Sequence, residues 1–410
     1  MDQMIPSQTD ASQIGPPEEP LVRRKVFYIP GYDPIHPRRY RELYRKEGAE
    51  QARISGYGLT LQPRKGGGPY GWRVTGEMCG KTEAEVEVLV WSDLVRASME
   101  SGIAATYLQL MRTAWAYIGS GALFRLMRLR KGPMIAALYP IGLLIMQLLV
   151  ALGAGYALFR MGATVHPVLG LIVGLPIIPL ILQFFRRHDN RFFAYYLMHD
   201  YAYSTQSGGA NPAELEARMA EFGLRIRAAL TDCDEVLVVG HSSGAHLAVS
   251  ILSDLLRTGL PDARPALALL TLGQVVPMVS FLPKAQRLRA DLAYLSARPE
   301  LTWVDVTAPG DGCAFALCDP VSVTGVAPKD KRWPLVISAA FTQTLSPERW
   351  KSLRWRFFRL HFQYLCAFDR PGDYDYFQIT AGPLTLAERY RDRVPSKSRI
   401  ETPLSPWRSV

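Results

Sequence analysis

The chain has 410 residues, 48% hydrophobic and 20% charged, with a formal net charge of +10. That content excludes a wholly disordered chain and is enough to bury one large core or two ordinary ones. The five cysteines, Cys79, Cys233, Cys313, Cys318 and Cys366, form no Cys-x-x-Cys pair and have no His-rich partner cluster, so neither a metal site nor a disulfide framework is expected.

Residues 1–20 mix Pro, Ser, Gln and acids without a basic-then-apolar pattern and read as a flexible tail, not a signal peptide. The first short apolar run, 25–29, predicts a core strand; it ends in Pro30-Gly31, a turn that lets the backbone approach a neighbour closely. A helix is expected at 36–53, two extra strands at 57–62 and 71–78, a core strand at 86–91, and one long helix at 94–130.

Between residues 132 and 185 the only charge is Arg160. The two uncharged stretches on either side each exceed the roughly 20 helical residues that cross a hydrocarbon core about 30 Å thick. The expected spans are 134–157 and 165–185, a transmembrane helical hairpin. Pro167, Pro176 and Pro179 threaten to kink the second span, or to break it into a re-entrant segment. Gly170 and Gly174 offer a small-xxx-small face for close packing. Arg125, Arg128, Arg130 and Lys131 precede the hairpin and Arg186, Arg187 and Arg191 follow it, so both ends, the termini and the body are expected on the cytoplasmic side of a bacterial inner membrane. The basic flanks suit anionic lipid. Nucleic acid is not expected as a partner, because the arginines are dispersed or gathered at the span ends and no recognised motif accompanies them. Phe184, Phe185, Phe192, Phe193, Tyr195 and Tyr196 follow the second span as either an interfacial belt or the lining of an entrance.

A helix is expected at 212–230, then a buried strand at 235–239 that meets Gly240-His241-Ser242-Ser243-Gly244 before a helix at 243–258. Gly-x-Ser-x-Gly between a strand and a helix is a nucleophile elbow. The turn strains the serine backbone, and Gly240 and Gly244 remove the side chains that would collide there. This selects Ser242 as nucleophile over Ser243, and gives the Ser243 N–H to the oxyanion. Further strands are expected at 267–273, 301–306 and 334–341, with helices at 284–297 and 346–359. The strand–helix alternation predicts an α/β protein with a mostly parallel sheet flanked by helices.

A serine nucleophile needs a base and an acid that orients it. Only His246 and His361 follow the elbow. His246 lies four residues beyond Ser242 on the same helix and points along it, which leaves His361 as base. Asp311, just past the turn Pro309-Gly310, is the preferred acid, with Asp305 and Asp319 as alternatives. The second oxyanion donor is expected from Tyr32 or Gly31.

With FYIPGYDP, GHSSG, TAPGDGCAF and RLHFQYL in hand, the chain resembles the α/β-hydrolase superfamily, in particular its lipase- and esterase-like serine hydrolases. The resemblance implies a hydrolase-type sheet over 21–131 and 186–395, interrupted by the hairpin at 132–185; by their own composition, with Pro395, Pro403 and Pro406 in or beside them, residues 396–410 read as a loosely held tail. It also implies ester, thioester or amide hydrolysis through an acyl-enzyme on Ser242, with no metal or organic cofactor; taken with the membrane hairpin, a lipid-like acyl ester is the expected substrate. A non-catalytic membrane scaffold and an acyltransferase or thioesterase using the same serine are the other readings. The oligomeric state is left open.

Overall fold

In a computed structural model, the structure describes residues 22–64, 68–261 and 264–410; the expected tail at 1–20 lies outside them. The protein is α/β, built on one mixed eight-stranded sheet. Its strands are β1 (Val22–Ile29), β2 (Gly58–Pro63), β3 (Gly71–Glu77), β4 (Lys81–Val88), β5 (Glu235–His241), β6 (Ala266–Leu272), β7 (Thr302–Thr307) and β8 (Leu335–Ser338). Their order is β2-β3-β4-β1-β5-β6-β7-β8. The β2–β3 and β3–β4 pairs are antiparallel and the rest parallel.

The sheet alternates its apolar side chains between two cores. Val26, Tyr28, Leu237 and Val239 face one, and Phe27, Ile29, Val236 and Val238 the other. Strands buried on both faces need helices on both. The first helices are α1 (Arg38–Ser55), α2 (Ser92–Met99), α3 (Ile103–Gly119) and α4 (Ala122–Leu129). The single long helix expected at 94–130 is therefore three. It breaks at Gly102, and again at Gly121, whose φ of +71° is left-handed.

The helices α5 (Lys131–Ala163) and α6 (Pro167–Arg187) are long and apolar enough to cross a membrane, with mean hydropathy 2.3 and 2.4 over windows only 28% and 17% buried. They pack tightly on each other: a Cβ on Gly170 would fall 2.6 Å from the Phe159 carbonyl oxygen, and one on Gly174 2.5 Å from that of Gly155. Helix α6 runs on through Pro176 and Pro179. Then come α7 (Asp189–Phe192), α8 (Ala194–Thr205), α9 (Ala213–Ala228) and α10 (Gly244–Arg257). Of the aromatics expected together after the second span, Tyr195 is buried while Phe184 and Phe193 are exposed.

The segment 396–410, expected to be loose, is pinned. Ile400 pairs with Cys318 in a bridge, the Leu404 N–H donates to Val323, and Arg289 Nε donates to the Ser409 carbonyl. A second tie runs through the buried pair Arg24 Nε–Glu235 Oε2 at 2.5 Å. Arg24 also donates to the carbonyls of Gly382 and Leu384, and Glu235 accepts from the Leu386 N–H.

Candidate active site

The chain leaves β1 for one side of the sheet and crosses to the other at β5, so the carboxyl ends of β1 and β5 flank the point where strand order reverses. Open α/β sheets form their binding crevice there. Both Pro30-Gly31 and the Gly240–Gly244 pentapeptide lie at those ends.

Ser242 has φ +57°, a left-handed conformation that L-residues pay to adopt. The backbone around it is closely packed. A Cβ on Gly240 would lie 2.7 Å from the Gly244 carbonyl oxygen, one on Gly244 2.2 Å from that of Ile29, and one on Gly31 2.9 Å from Ser242 Cβ. The Ser242 N–H continues the ladder onto the Leu272 carbonyl at 2.9 Å. Its side chain stays half-buried at the turn, while Ser243 next to it is buried.

His361 ends the short helix Phe357–His361 and packs against the same turn. Its ring Cε1 would be 3.0 Å from a Cβ on Gly273, the residue after β6. Its carbonyl bonds Nε2 of His241, the residue before Ser242, at 3.0 Å. Its Nδ1 meets Asp311 Oδ2 at 2.7 Å. Its Nε2 is buried without a hydrogen-bond partner among the described residues.

Asp311 is fully enclosed and well supplied with donors: the Cys313 N–H at 2.9 Å on Oδ1, and Tyr364 OH at 3.0 Å with His361 on Oδ2. Burial alone would raise this carboxyl, but the charge and hydrogen bond of His361, joined by those of Cys313 and Tyr364, hold it below the usual carboxylate range. The alternatives are occupied elsewhere. Asp305 lies inside β7, where it accepts from Thr271 Oγ1 at 2.6 Å and burial pushes its carboxyl up to about 8. Asp319 caps the helix Pro320–Thr324 and pairs with Lys331 Nζ at 2.6 Å.

The Tyr32 N–H, expected to face an oxyanion, donates to Ser243 Oγ at 2.8 Å. The Ser243 amide opens α10, where first-turn N–H groups have no intrahelical acceptor. Beside this pair runs a cleft of about 380 Å³, counting its open mouth, lined by Tyr32, Trp91, Asp200, Tyr203, Ser243 and His246 among others. Asp200 keeps part of its surface open to the cleft, yet the protein around it pushes its carboxyl up to about 7, against a pull from His361. Burial pushes His246 down to about 4 and His241 down to about 3, so both stay neutral in ordinary buffers. Cys313 joins Asp311 and His361 with donor atoms within 4.8 Å. Burial first, then Asp311 and Asp200, push its thiol well above the ordinary value.

Sequence reasoning did not find His241, Tyr364, Gly273 or Asp200. Of these, His241 stood inside the Gly240–Gly244 pentapeptide beside Ser242 and Tyr364 inside the segment RLHFQYL three residues past His361, signals that went unused. No family model, curated protein or solved structure matches this chain.

Proposed function

We propose that the protein is a membrane-anchored serine hydrolase of the α/β-hydrolase kind, cleaving carboxylic esters of lipid-like acyl substrates. The observation that carries this reading is the conjunction of a left-handed Ser242 between two obligatory glycines with a His361–Asp311 pair whose outer imidazole nitrogen is unpartnered at the same turn. The chain order is serine after β5, acid after β7 and histidine after β8, the order expected of such sheets.

Ser242 Oγ attacks the ester carbonyl while His361 Nε2 takes its proton. Asp311 holds the Nδ1–H and stabilises the imidazolium. The oxyanion is met by the Ser243 N–H; the Tyr32 N–H, the second donor of this reading, is held by Ser243 Oγ and serves once that bond is released. His361 then gives its proton to the leaving alcohol, and water, deprotonated by the same ring, releases the acid from Ser242. None of these steps calls on a metal or cofactor.

The anchor in this reading is the α5–α6 hairpin. Its apolar surface is largely open, and Arg128, Lys131, Arg186 and Arg187 at its ends suit the cytoplasmic, anionic leaflet.

The test is labelling of the detergent-solubilised protein with a fluorophosphonate probe. Loss of labelling in Ser242→Ala and His361→Ala, with Ser243→Ala still labelled, supports an activated Ser242. A folded wild type that does not label ends the hydrolase reading in favour of a non-catalytic scaffold.

A further inference from the structure

The segment that delivers His361 has a surface of its own. Residues 354–359 read Arg-Trp-Arg-Phe-Phe-Arg and link the helix Pro347–Leu353 to the helix Phe357–His361. Trp355 is 72% exposed and Phe357 46%, with Arg354, Arg356 and Arg359 exposed around them. Large rings held in water among guanidinium groups forgo burial that a headgroup layer offers, since such a layer accepts aromatic bodies and pairs cations with its phosphates.

Three contacts fix the height of this segment on the molecule. A Cβ on Gly312 would meet the Phe357 ring at 3.1 Å, and one on Gly132, in the first turn of α5, would meet the Gly312 carbonyl oxygen at 3.1 Å. Phe358 stacks on Phe193, just past the end of α6, with centroids 5.0 Å apart. The segment therefore sits beside the first turn of α5 and its basic start, about 18 Å along that helix from the level of Arg186, because Gly155 and Gly162 of α5 lie against Gly174 and Gly170 of α6. A second apolar surface runs along α5 between that level and Arg186: Leu108, Met111, Trp115 and Ile118 form one face of α3 and are 41%, 60%, 76% and 51% exposed, and Tyr107 OH of the same helix donates to the Leu144 carbonyl. That helix begins beside Ser101, whose carbonyl accepts from Arg186 at the end of α6 at 2.8 Å.

We propose that 354–359 is a docking segment for an anionic lipid surface, with Trp355 and Phe357 in the headgroup layer and Arg354, Arg356 and Arg359 on lipid phosphates. It rests on the membrane reading of α5–α6 and does not depend on the hydrolase reading. Its occupant is the bilayer itself, because the arginines complement anionic headgroups and the surface is continuous with the basic start of the apolar helix α5. Docking sets the mouth of the site, and the helix bearing its base, against the layer from which an acyl ester arrives.

The test uses the full chain with a photoreactive side chain, Trp355→benzoylphenylalanine, and separately Leu149→benzoylphenylalanine in mid-α5, where Leu149 is 63% exposed. Each is reconstituted into phosphatidylcholine vesicles with and without about 30% phosphatidylglycerol, irradiated, and read by mass spectrometry for lipid adducts. The expected result is lipid adducts at both positions. The adduct at 355 rises several-fold with phosphatidylglycerol, and the rise is lost when Arg354→Gln, Arg356→Gln and Arg359→Gln are combined. Lipid adducts at 149 without any at 355 overturn the docking segment and leave the membrane reading standing. Adducts at 355 to a second copy or another protein overturn it as well. No lipid adduct at 149 ends the membrane reading, and the proposal with it.

Discussion

His361 Nδ1 lies 2.7 Å from Asp311 Oδ2, and the carboxylate that receives it is also bonded by Tyr364 OH and the Cys313 N–H. Three donors on one buried acid fix both its rotamer and its ionisation. If His361 is the base of Ser242, Asp311→Asn leaves the fold intact and lowers kcat by about 10³–10⁴. Tyr364→Phe keeps His361 in place and removes one of the groups that depress the acid. Because Asp311 titrates below its unfolded value, its contribution to stability is present above about pH 4 and fades as pH falls through the folded value. Steady-state kinetics with a soluble ester and acid titration of tyrosine fluorescence check the two halves of this expectation.

Ser243→Ala separates the oxyanion donors from the nucleophile. The Tyr32 N–H is now held by Ser243 Oγ, and a neutral hydrogen bond of that kind is worth about 0.5–1.5 kcal/mol. Freed of that competitor, the variant reacts with a fluorophosphonate about twofold to tenfold faster than wild type, with slightly lower thermal stability. A rate below wild type would show that the Ser243 hydroxyl itself serves the reaction.

Gly31→Ala drives a methyl group to 2.9 Å from Ser242 Cβ and 3.3 Å from its Oγ. The nucleophile has to move while the sheet does not, so probe labelling falls at least tenfold with circular dichroism unchanged. Gly244→Ala strikes the Ile29 carbonyl at 2.2 Å and costs stability first, by about 1–3 kcal/mol or more.

Asp305 gives the opposite pH signature. Its folded carboxyl is pushed up to about 8, so between about pH 4 and 8 the native state holds a proton that the unfolded chain has released, and stability declines as pH rises through that window. Asp305→Asn can still accept from Thr271 Oγ1 and removes the titration. The fall in its melting temperature between pH 5 and pH 8 is therefore smaller than that of wild type, with the remainder coming from Asp200, whose carboxyl is pushed up to about 7.

Glu235→Gln uncouples the chain's last third from β1. The buried pair with Arg24 orders the carbonyls of Gly382 and Leu384 and the Leu386 N–H, and breaking such a pair costs about 3–5 kcal/mol. Limited proteolysis then cuts first near 382–390, a segment that resists in wild type.

The elbow was legible because its signal is local: Gly240 and Gly244 answer a steric demand within five residues, and the strand before them is uniformly apolar. Asp311 followed from a turn signal. Strand β4 was placed too late because its first half, Lys81 to Glu85, alternates with charged residues and looks like surface. The helix at 94–130 was read as continuous because its composition hides the left-handed Gly121. Pro395, Pro403 and Pro406 made the C-terminal stretch look loose, whereas its order comes from backbone bonds to Leu317, Asp319 and Val323 that no local pattern announces. The exposure of Trp355, and the Tyr364 bond to Asp311, are likewise products of packing between segments far apart in the chain.

The hydrogen bond from Tyr32 to Ser243 joins residues 211 positions apart, and the two apolar helices are made between them. On a ribosome, β1 to β4 emerge first and wait without their central partner while α5 and α6 are synthesised and leave the tunnel. The turn holding Ser242 follows only afterwards, and Asp311 and His361 later still. In a nascent chain of this protein the residues around Ser242 therefore come together only after both apolar helices have been made.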